Sequence, residues 1–326
     1  MKRLTVFILA FLLLIALLPG CVQADKPEGR SISVICTVFP QYDWVRQILG
    51  DKADNYELTL LLQNRIDLHN YQPSVDDLVK ISTCDLFIYI GGESDKWVAS
   101  ALKDAANQNM IVINLLDVLG TAAKTEEIIE GMEENEQDDQ EIEDEDEIEY
   151  DEHIWLSLKN ARVLCPVIYD ALSAIDADNA AEYKNNMNAF IAALSALDME
   201  YQAAVNAAPV KNLLFGDRFP FRYLVDDYGI NYHAAFAGCS AETEASFETI
   251  IFLANKVDEL NLNNIMVTES TDQSIAKTII SNTRGKNQRI LVLDAMQSVT
   301  SSDVQNGTTY LSVMQSNLNV LKEALQ

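Results

Sequence analysis

The chain has 326 residues, of which 48% are hydrophobic, and a formal net charge of −27. This charge argues against nucleic acid as a partner, because no basic cluster is present to neutralise phosphates, and it suits the capture of cations. The length suits two domains better than one.

The N-terminus is typical of an exported protein. Lys2 and Arg3 precede an apolar run over residues 6–18. A short basic start followed by roughly 7–15 apolar residues indicates a secretory signal. The run is shorter than the about 20 residues that span a bilayer. We therefore predict a signal peptide over residues 1–20.

The end of this run resembles a bacterial lipobox, Leu18-Pro19-Gly20-Cys21. In such a motif the cysteine is lipidated and becomes the mature N-terminus. We therefore predict lipidation at Cys21, a lipid-anchored tether over residues 21–30 and an extracytoplasmic location at the cell membrane.

Four further cysteines show no C-x-x-C pairing, which argues against a zinc-ribbon or redox motif. They are Cys36, Cys84, Cys165 and Cys239. An exported protein could pair them as disulfides, but the spacing selects no pair, and buried free thiols are the simpler interpretation.

The first half alternates strand-like apolar runs with helical stretches. The runs cover residues 32–38, 58–62, 86–90 and 110–113. Such alternation predicts a parallel sheet with helices on both faces.

An acidic block follows at residues 133–152, where 14 of 20 residues are Asp or Glu. Because like charges repel one another, we predict a solvated loop over the whole block.

A long helix is predicted next. Apolar residues recur at alternating steps of four and three, which forms one continuous seam. They are Tyr183, Met187, Phe190, Leu194, Leu197 and Tyr201. We predict a linking helix over residues 176–208, with Asp176 as its N-cap and Pro209 beyond its end.

The second half repeats the alternation. Strand-like runs cover 213–215, 232–236, 265–268 and 290–293, and helical stretches cover 247–260, 272–283 and 310–325. We predict an α/β fold of two similar lobes, each a mainly parallel sheet flanked by helices, joined by the linking helix. The N-terminal lobe is expected over residues 31–175 and the C-terminal lobe over 209–326. A two-lobed protein with a cleft is typical of a binding protein.

Three histidines offer ligands, at His69, His153 and His233. His69 and His153 are predicted to lie in loops of the first lobe that can reach the cleft. His233 lies within a predicted strand, where we expect a structural role.

Several motifs follow one another along the chain: Phe39-Pro40-Gln41-Tyr42-Asp43, the Asp-x-His-x-Tyr-x-Pro-Ser loop at 67–74, the run at 84–92, His153-Ile154-Trp155-Leu156-Ser157-Leu158-Lys159-Asn160, Tyr228-Gly229, Glu244-Ala245-Ser246, and Tyr310-Leu311-x-x-Met314-x-x-Asn317-Leu318. In this order they resemble the zinc- and manganese-specific substrate-binding proteins of bacterial ABC transporters, and the resemblance covers residues 32–325.

The resemblance implies one metal ion between the lobes, held by two side chains from each. His69 and His153 match the two ligand histidines of the first lobe. In the second lobe Arg218 occupies the position of the usual ligand, and an arginine cannot ligate a cation. Asp217, one residue earlier, is predicted to replace it.

The fourth ligand implied by the resemblance is Glu269, with Asp272 in reserve. Two imidazoles and two carboxylates suit zinc, manganese or iron(II), of which zinc is favoured. The implied function is an extracytoplasmic substrate-binding component that captures a divalent transition metal for an ABC permease and its ATPase, acting as a monomer.

Two other classes of protein remain as alternatives. A zinc hydrolase would keep a coordination position open for water, and no H-E-x-x-H, G-x-S-x-G or P-loop motif is present. A surface adhesin is the second alternative. The acidic block falls where zinc-binding relatives carry a histidine-rich loop, and it could collect cations weakly or only aid solubility.

Overall fold

The computed structural model describes residues 31–63, 66–133, 149–240 and 244–326. The predicted signal peptide, the lipidation at Cys21, the tether and residues 134–148 of the acidic block lie outside the described residues. Residues Ile32–Gln326 form one compact unit. None of the helices in the described ranges is long and apolar enough to cross a membrane.

The first lobe is built on a four-stranded parallel sheet of order β2-β1-β3-β4. Its strands are β1 (Ile32–Cys36), β2 (Tyr56–Leu60), β3 (Leu86–Tyr89) and β4 (Ile111–Asn114). Its helices are α1 (Phe39–Leu49), α2 (Val75–Thr83), α3 (Trp97–Lys103), α4 (Leu115–Leu119) and α5 (Leu158–Ile175). Strands covered by helices on both faces read as continuous apolar runs, which is why their positions are visible in the sequence.

The second lobe repeats this plan with order β6-β5-β7-β8, again parallel. Its strands are β5 (Asn212–Phe219), β6 (Asn231–Ala237), β7 (Asn264–Thr268) and β8 (Arg289–Leu293). Its helices are α7 (Arg222–Tyr228), α8 (Phe247–Leu260), α9 (Ser274–Asn282), α10 (Ser301–Gln305) and α11 (Tyr310–Ala324). The two-lobed α/β fold class is therefore confirmed, while the predicted lobe boundaries stay a prediction.

The linking helix, α6, covers Ala180–Ala207 and buries the predicted apolar seam. Its predicted N-cap was wrong. A short 3₁₀ turn at Ala177–Asn179 precedes the helix, whose N-cap is Asn179. The Asp176 carboxylate instead accepts hydrogen bonds from the Tyr56 and Tyr183 hydroxyls, at 3.0 and 2.8 Å.

Contacts between the two halves extend beyond the linking helix. The Trp155 indole donates to the Ala295 carbonyl at 2.9 Å, and the Tyr310 hydroxyl donates to the Trp155 carbonyl at 2.6 Å. The Tyr310 amide donates to the Asp43 carboxylate at 2.9 Å. These bonds fix the segment that follows His153 against the second lobe.

Candidate metal site

Two loops of the first lobe carry the predicted histidine ligands. His69 lies in a 3₁₀ turn, Leu68–Asn70, after strand β2, and the Asp67 side chain caps this turn by accepting from the His69 amide at 3.0 Å. His153 is fully buried and directly precedes a second 3₁₀ turn, Ile154–Leu156. The structure brings both rings together, with their centroids 5.3 Å apart.

The two rings face each other through their Nε2 atoms, which lie 3.4 Å apart. His153 Nδ1 is 3.0 Å from the Asp151 carboxylate, which assigns the ring proton to Nδ1. His69 Nδ1 is 2.9 Å from Ser94 Oγ and 3.5 Å from Glu152 Oε2, two oxygens that can accept its proton. With the ring protons on the Nδ1 atoms, each Nε2 carries a lone pair on the side of its ring that faces the other ring.

This spacing suits a cation held between the rings. Zinc–nitrogen distances of about 2.0–2.1 Å at tetrahedral angles place two ligand nitrogens about 3.3–3.4 Å apart. Burial and the neighbouring His153 lower the pKa of His69 to about 3. A low pKa keeps the imidazole neutral, which is the form that ligates metals.

A third group that could bind a metal comes from the second lobe, and the sequence did not predict it. Cys239 follows strand β6, and its sulphur and the ligating nitrogens of His69 and His153 all lie within 4.8 Å of one another. At the adjacent Gly238 an added Cβ would stand 2.8 Å from the Phe219 carbonyl oxygen and 3.2 Å from the His153 ring. A side chain at Gly238 would therefore keep this loop away from the histidines.

The surroundings of Cys239 are acidic. The Glu126 carboxylate accepts from the Cys239 amide at 2.8 Å, which holds the loop in place. Burial raises the pKa of the Cys239 thiol well above its usual value, and the nearby Asp151, Glu126 and Glu152 raise it further.

The disulfide alternative has no counterpart among the described residues, because none of their four cysteines is joined to another by a disulfide. They are Cys36, Cys84, Cys165 and Cys239. Cys239 is partly buried, whereas the other three are fully buried in the first lobe. Only Cys239 among them joins the histidine group.

Arg218 lies beside the site and joins the two lobes. Its guanidinium is 2.7 Å from the Asp67 carboxylate and donates to the Ser240 carbonyl at 3.3 Å. Asp67, Asp217, Arg218 and Asp272 also line a cleft of about 500 Å³. Arg218 therefore adds positive charge where the resemblance implied a ligand.

Asp217 is not brought into the histidine group. Its Oδ2 accepts from the Thr268 amide and hydroxyl at 2.8 and 2.6 Å, and its Oδ1 accepts from the Arg218 amide at 2.8 Å. These bonds join neighbouring strands β5 and β7 of the second sheet. The ligand role of Asp217 stays a prediction.

Glu269 and Asp272 also lie outside the metal-binding group found in the described residues. The Glu269 carboxylate accepts from the Ala295 and Gln297 amides at 2.8 and 3.0 Å. Asp272 is exposed and accepts from the Ser274 amide at 2.8 Å. The ligand role of Glu269, and that of Asp272 in reserve, also stay predictions.

The acidic block is structured at its ends, which corrects the prediction of a fully solvated loop. Asp151 and Glu152 are only 2% and 1% exposed. Asp151 accepts from the His153 amide, and Glu152 accepts from the Ser94 amide at 2.8 Å, while burial raises the pKa of Glu152 to about 7. At the other end, Glu133 accepts from the Ser246 amide at 2.5 Å.

Two parallel-sheet lobes joined by a long helix, with paired imidazoles facing the second lobe, define a two-lobed solute-binding protein. The chain belongs to the family described as "ZnuA: Zinc-uptake complex component A periplasmic", whose model matches residues 34–324. This confirms the family resemblance. Membership of this family also agrees with the prediction that the chain is a binding component and not an enzyme.

Two curated relatives match most of the chain. The zinc-binding lipoprotein AdcA of Streptococcus pneumoniae is 29% identical over 307 residues, which cover 94% of this chain and 58% of that protein. The chain thus spans a little over half the length of this relative. The high-affinity zinc uptake system protein ZnuA of Bacillus subtilis is 28% identical, covering 93% of this chain and 90% of that protein.

A solved structure shows the same fold. The Zn(II)-bound ZnuA-like domain of Streptococcus pneumoniae AdcA superposes with a TM-score of 0.69 and 26% identity. The match covers 91% of this chain and 99% of that domain.

Proposed function

We propose that this chain is the extracytoplasmic zinc-binding component of an ABC importer. It captures one zinc ion at His69 and His153 and delivers it to a membrane permease and its ATPase. A lipid at Cys21 anchors the chain to the membrane, and the chain acts as a monomer.

The observation that carries the proposal is the pair of Nε2 atoms 3.4 Å apart. Two imidazole nitrogens whose lone pairs face one another are stabilised when a cation lies between them. Imidazole suits zinc better than manganese, which prefers oxygen ligands. The family description, the zinc-binding name of one relative and the zinc-uptake name of the other support the same ion.

Uptake of radioactive zinc tests the proposal in cells that lack the chain. We expect the unmodified chain to restore uptake from low zinc concentrations, and His69→Ala and His153→Ala to fail. His233→Ala is the matched control, because this histidine lies in β6 outside the group and should restore uptake.

Unchanged uptake after loss of the chain would contradict the proposal. Restoration by His69→Ala or His153→Ala would contradict the site. If only attachment to host surfaces changed, the adhesin alternative would replace the proposal.

A further inference from the structure

We propose that Cys239 supplies the second-lobe ligand, so that zinc is held by two imidazoles and one thiolate. This inference rests on the proposed function and names the ligand set of the same site. Binding forms a zinc–sulphur bond and releases the thiol proton to solvent, so no oxidant or reductant is needed.

Only a small movement of Cys239 is needed for its sulphur and the two imidazole nitrogens to coordinate one zinc ion. With a zinc–sulphur distance of about 2.3 Å and zinc–nitrogen distances of about 2.0–2.1 Å, tetrahedral angles place sulphur about 3.6 Å from each nitrogen. The sulphur of Cys239 and both imidazoles already lie within 4.8 Å of one another. A rotation of the cysteine side chain or a small loop movement covers the difference.

The other second-lobe candidates are engaged elsewhere. Arg218 is a cation paired with Asp67. Asp217 and Glu269 each accept from two backbone amides of their own lobe, and a metal would have to displace those donors. Among the described residues, Cys239 is the second-lobe side chain that is grouped with the two histidines.

The backbone around Cys239 supports a ligand role. The absence of a side chain at Gly238 lets the loop approach the His153 ring. The Glu126 carboxylate anchors the Cys239 amide at 2.8 Å. These contacts hold the second-lobe loop beside the His153 ring.

The thiolate has a consequence for the choice of metal. Soft thiolate ligands favour zinc, whereas carboxylate and water suit manganese. We therefore expect a site with Cys239 to prefer zinc over manganese more strongly than a site with an oxygen in its place. Cys239→Ser should lower the ratio of zinc affinity to manganese affinity.

Cobalt(II) titration of the full chain tests the inference, because a thiolate bound to cobalt gives a charge-transfer absorption in the near ultraviolet. We expect this band in the unmodified chain and in Cys165→Ala, a control for a buried thiol outside the group. Cys239→Ser should lose the band and bind zinc more than about tenfold more weakly.

The outcomes separate the two proposals. If Cys239→Ser keeps the band and its zinc affinity while His69→Ala loses binding, the inference is wrong and the proposed function stands. If the unmodified chain binds neither metal, the proposed function is wrong, and the inference falls with it.

A second measurement covers the case in which Cys239→Ser does not fold. Iodoacetamide labelling of the unmodified chain, mapped by peptide mass spectrometry, should show Cys239 protected by zinc. Equal labelling of Cys239 with and without zinc would overturn the inference.

Discussion

At the scale of single residues, Asp151 orients the His153 ring and lies outside the possible metal-binding group of the described residues. Its carboxylate accepts from the amide and from Nδ1 of His153, at 2.8 and 3.0 Å. A carboxylate behind a ligating imidazole fixes the ring tautomer and raises the basicity of the other nitrogen.

We expect Asp151→Asn to weaken zinc binding by about 10–100-fold, because the substitution removes the charge behind His153. A competitive zinc titration measures the change, and Asp104→Asn, at an exposed aspartate, is the control. An unchanged affinity in Asp151→Asn would show that the carboxylate does not support the site.

Asp217 allows the sequence prediction of a ligand to be tested against the role seen in the structure. Because its two oxygens accept three donors, Asp217→Asn should lower the free energy of unfolding of the metal-free protein by about 1–3 kcal/mol. Denaturant unfolding without zinc measures this loss, and unfolding with zinc measures any change in the stabilisation that zinc provides. If Asp217→Asn lowers only the stabilisation that zinc provides and leaves the metal-free protein as stable as before, Asp217 is a ligand.

The closeness of His69 and His153 could be predicted from sequence, whereas the approach of Cys239 could not. His69 and His153 lie in motifs whose residue order is visible along the chain. Cys239 has no such motif, and it approaches the histidines only because strand β6 ends beside them. Its position directly after a strand, in Gly238-Cys239, was the available signal.

At the scale of elements, all eight predicted strands have counterparts, because buried parallel strands are continuous apolar runs. Strand β5 is longer than predicted, at Asn212–Phe219. The polar residues Asp217 and Arg218 interrupt its apolar pattern, and its pairing with β6 shifts register between Phe215 and Arg218. The hydrogen bonds between the Asp217 side chain and a neighbouring strand could not be predicted from the apolar periodicity of the sequence.

The acidic block gives a prediction at this scale. Replacing residues 134–148 with a Gly-Ser linker of equal length should leave tight zinc binding unchanged, because Asp151, Glu152 and His153 are retained. A wider deletion through Asp151 would remove the partner of His153 Nδ1. Calorimetry should show the tight site intact and any weak additional cation binding reduced. Loss of tight binding would place the primary site in the block.

At the scale of the whole molecule, the site joins two lobes that already share contacts. Arg218 pairs with Asp67, and Trp155 donates to Ala295 across the same region. The sequence predicted two lobes and a linking helix, but these bonds join residues far apart in the chain and could not be predicted. Zinc bound by groups from both lobes should stabilise the fold by mass action, by about 4 kcal/mol at a thousandfold excess over the dissociation constant.

Elemental analysis combined with competitive zinc titration of the full chain tests directly whether His69 and His153 bind zinc. We expect about one tightly bound zinc ion per chain, lost in His69→Ala and in His153→Ala and retained in His233→Ala. A chain that binds no zinc, or a zinc affinity that is unchanged in His69→Ala or His153→Ala, would contradict this expectation.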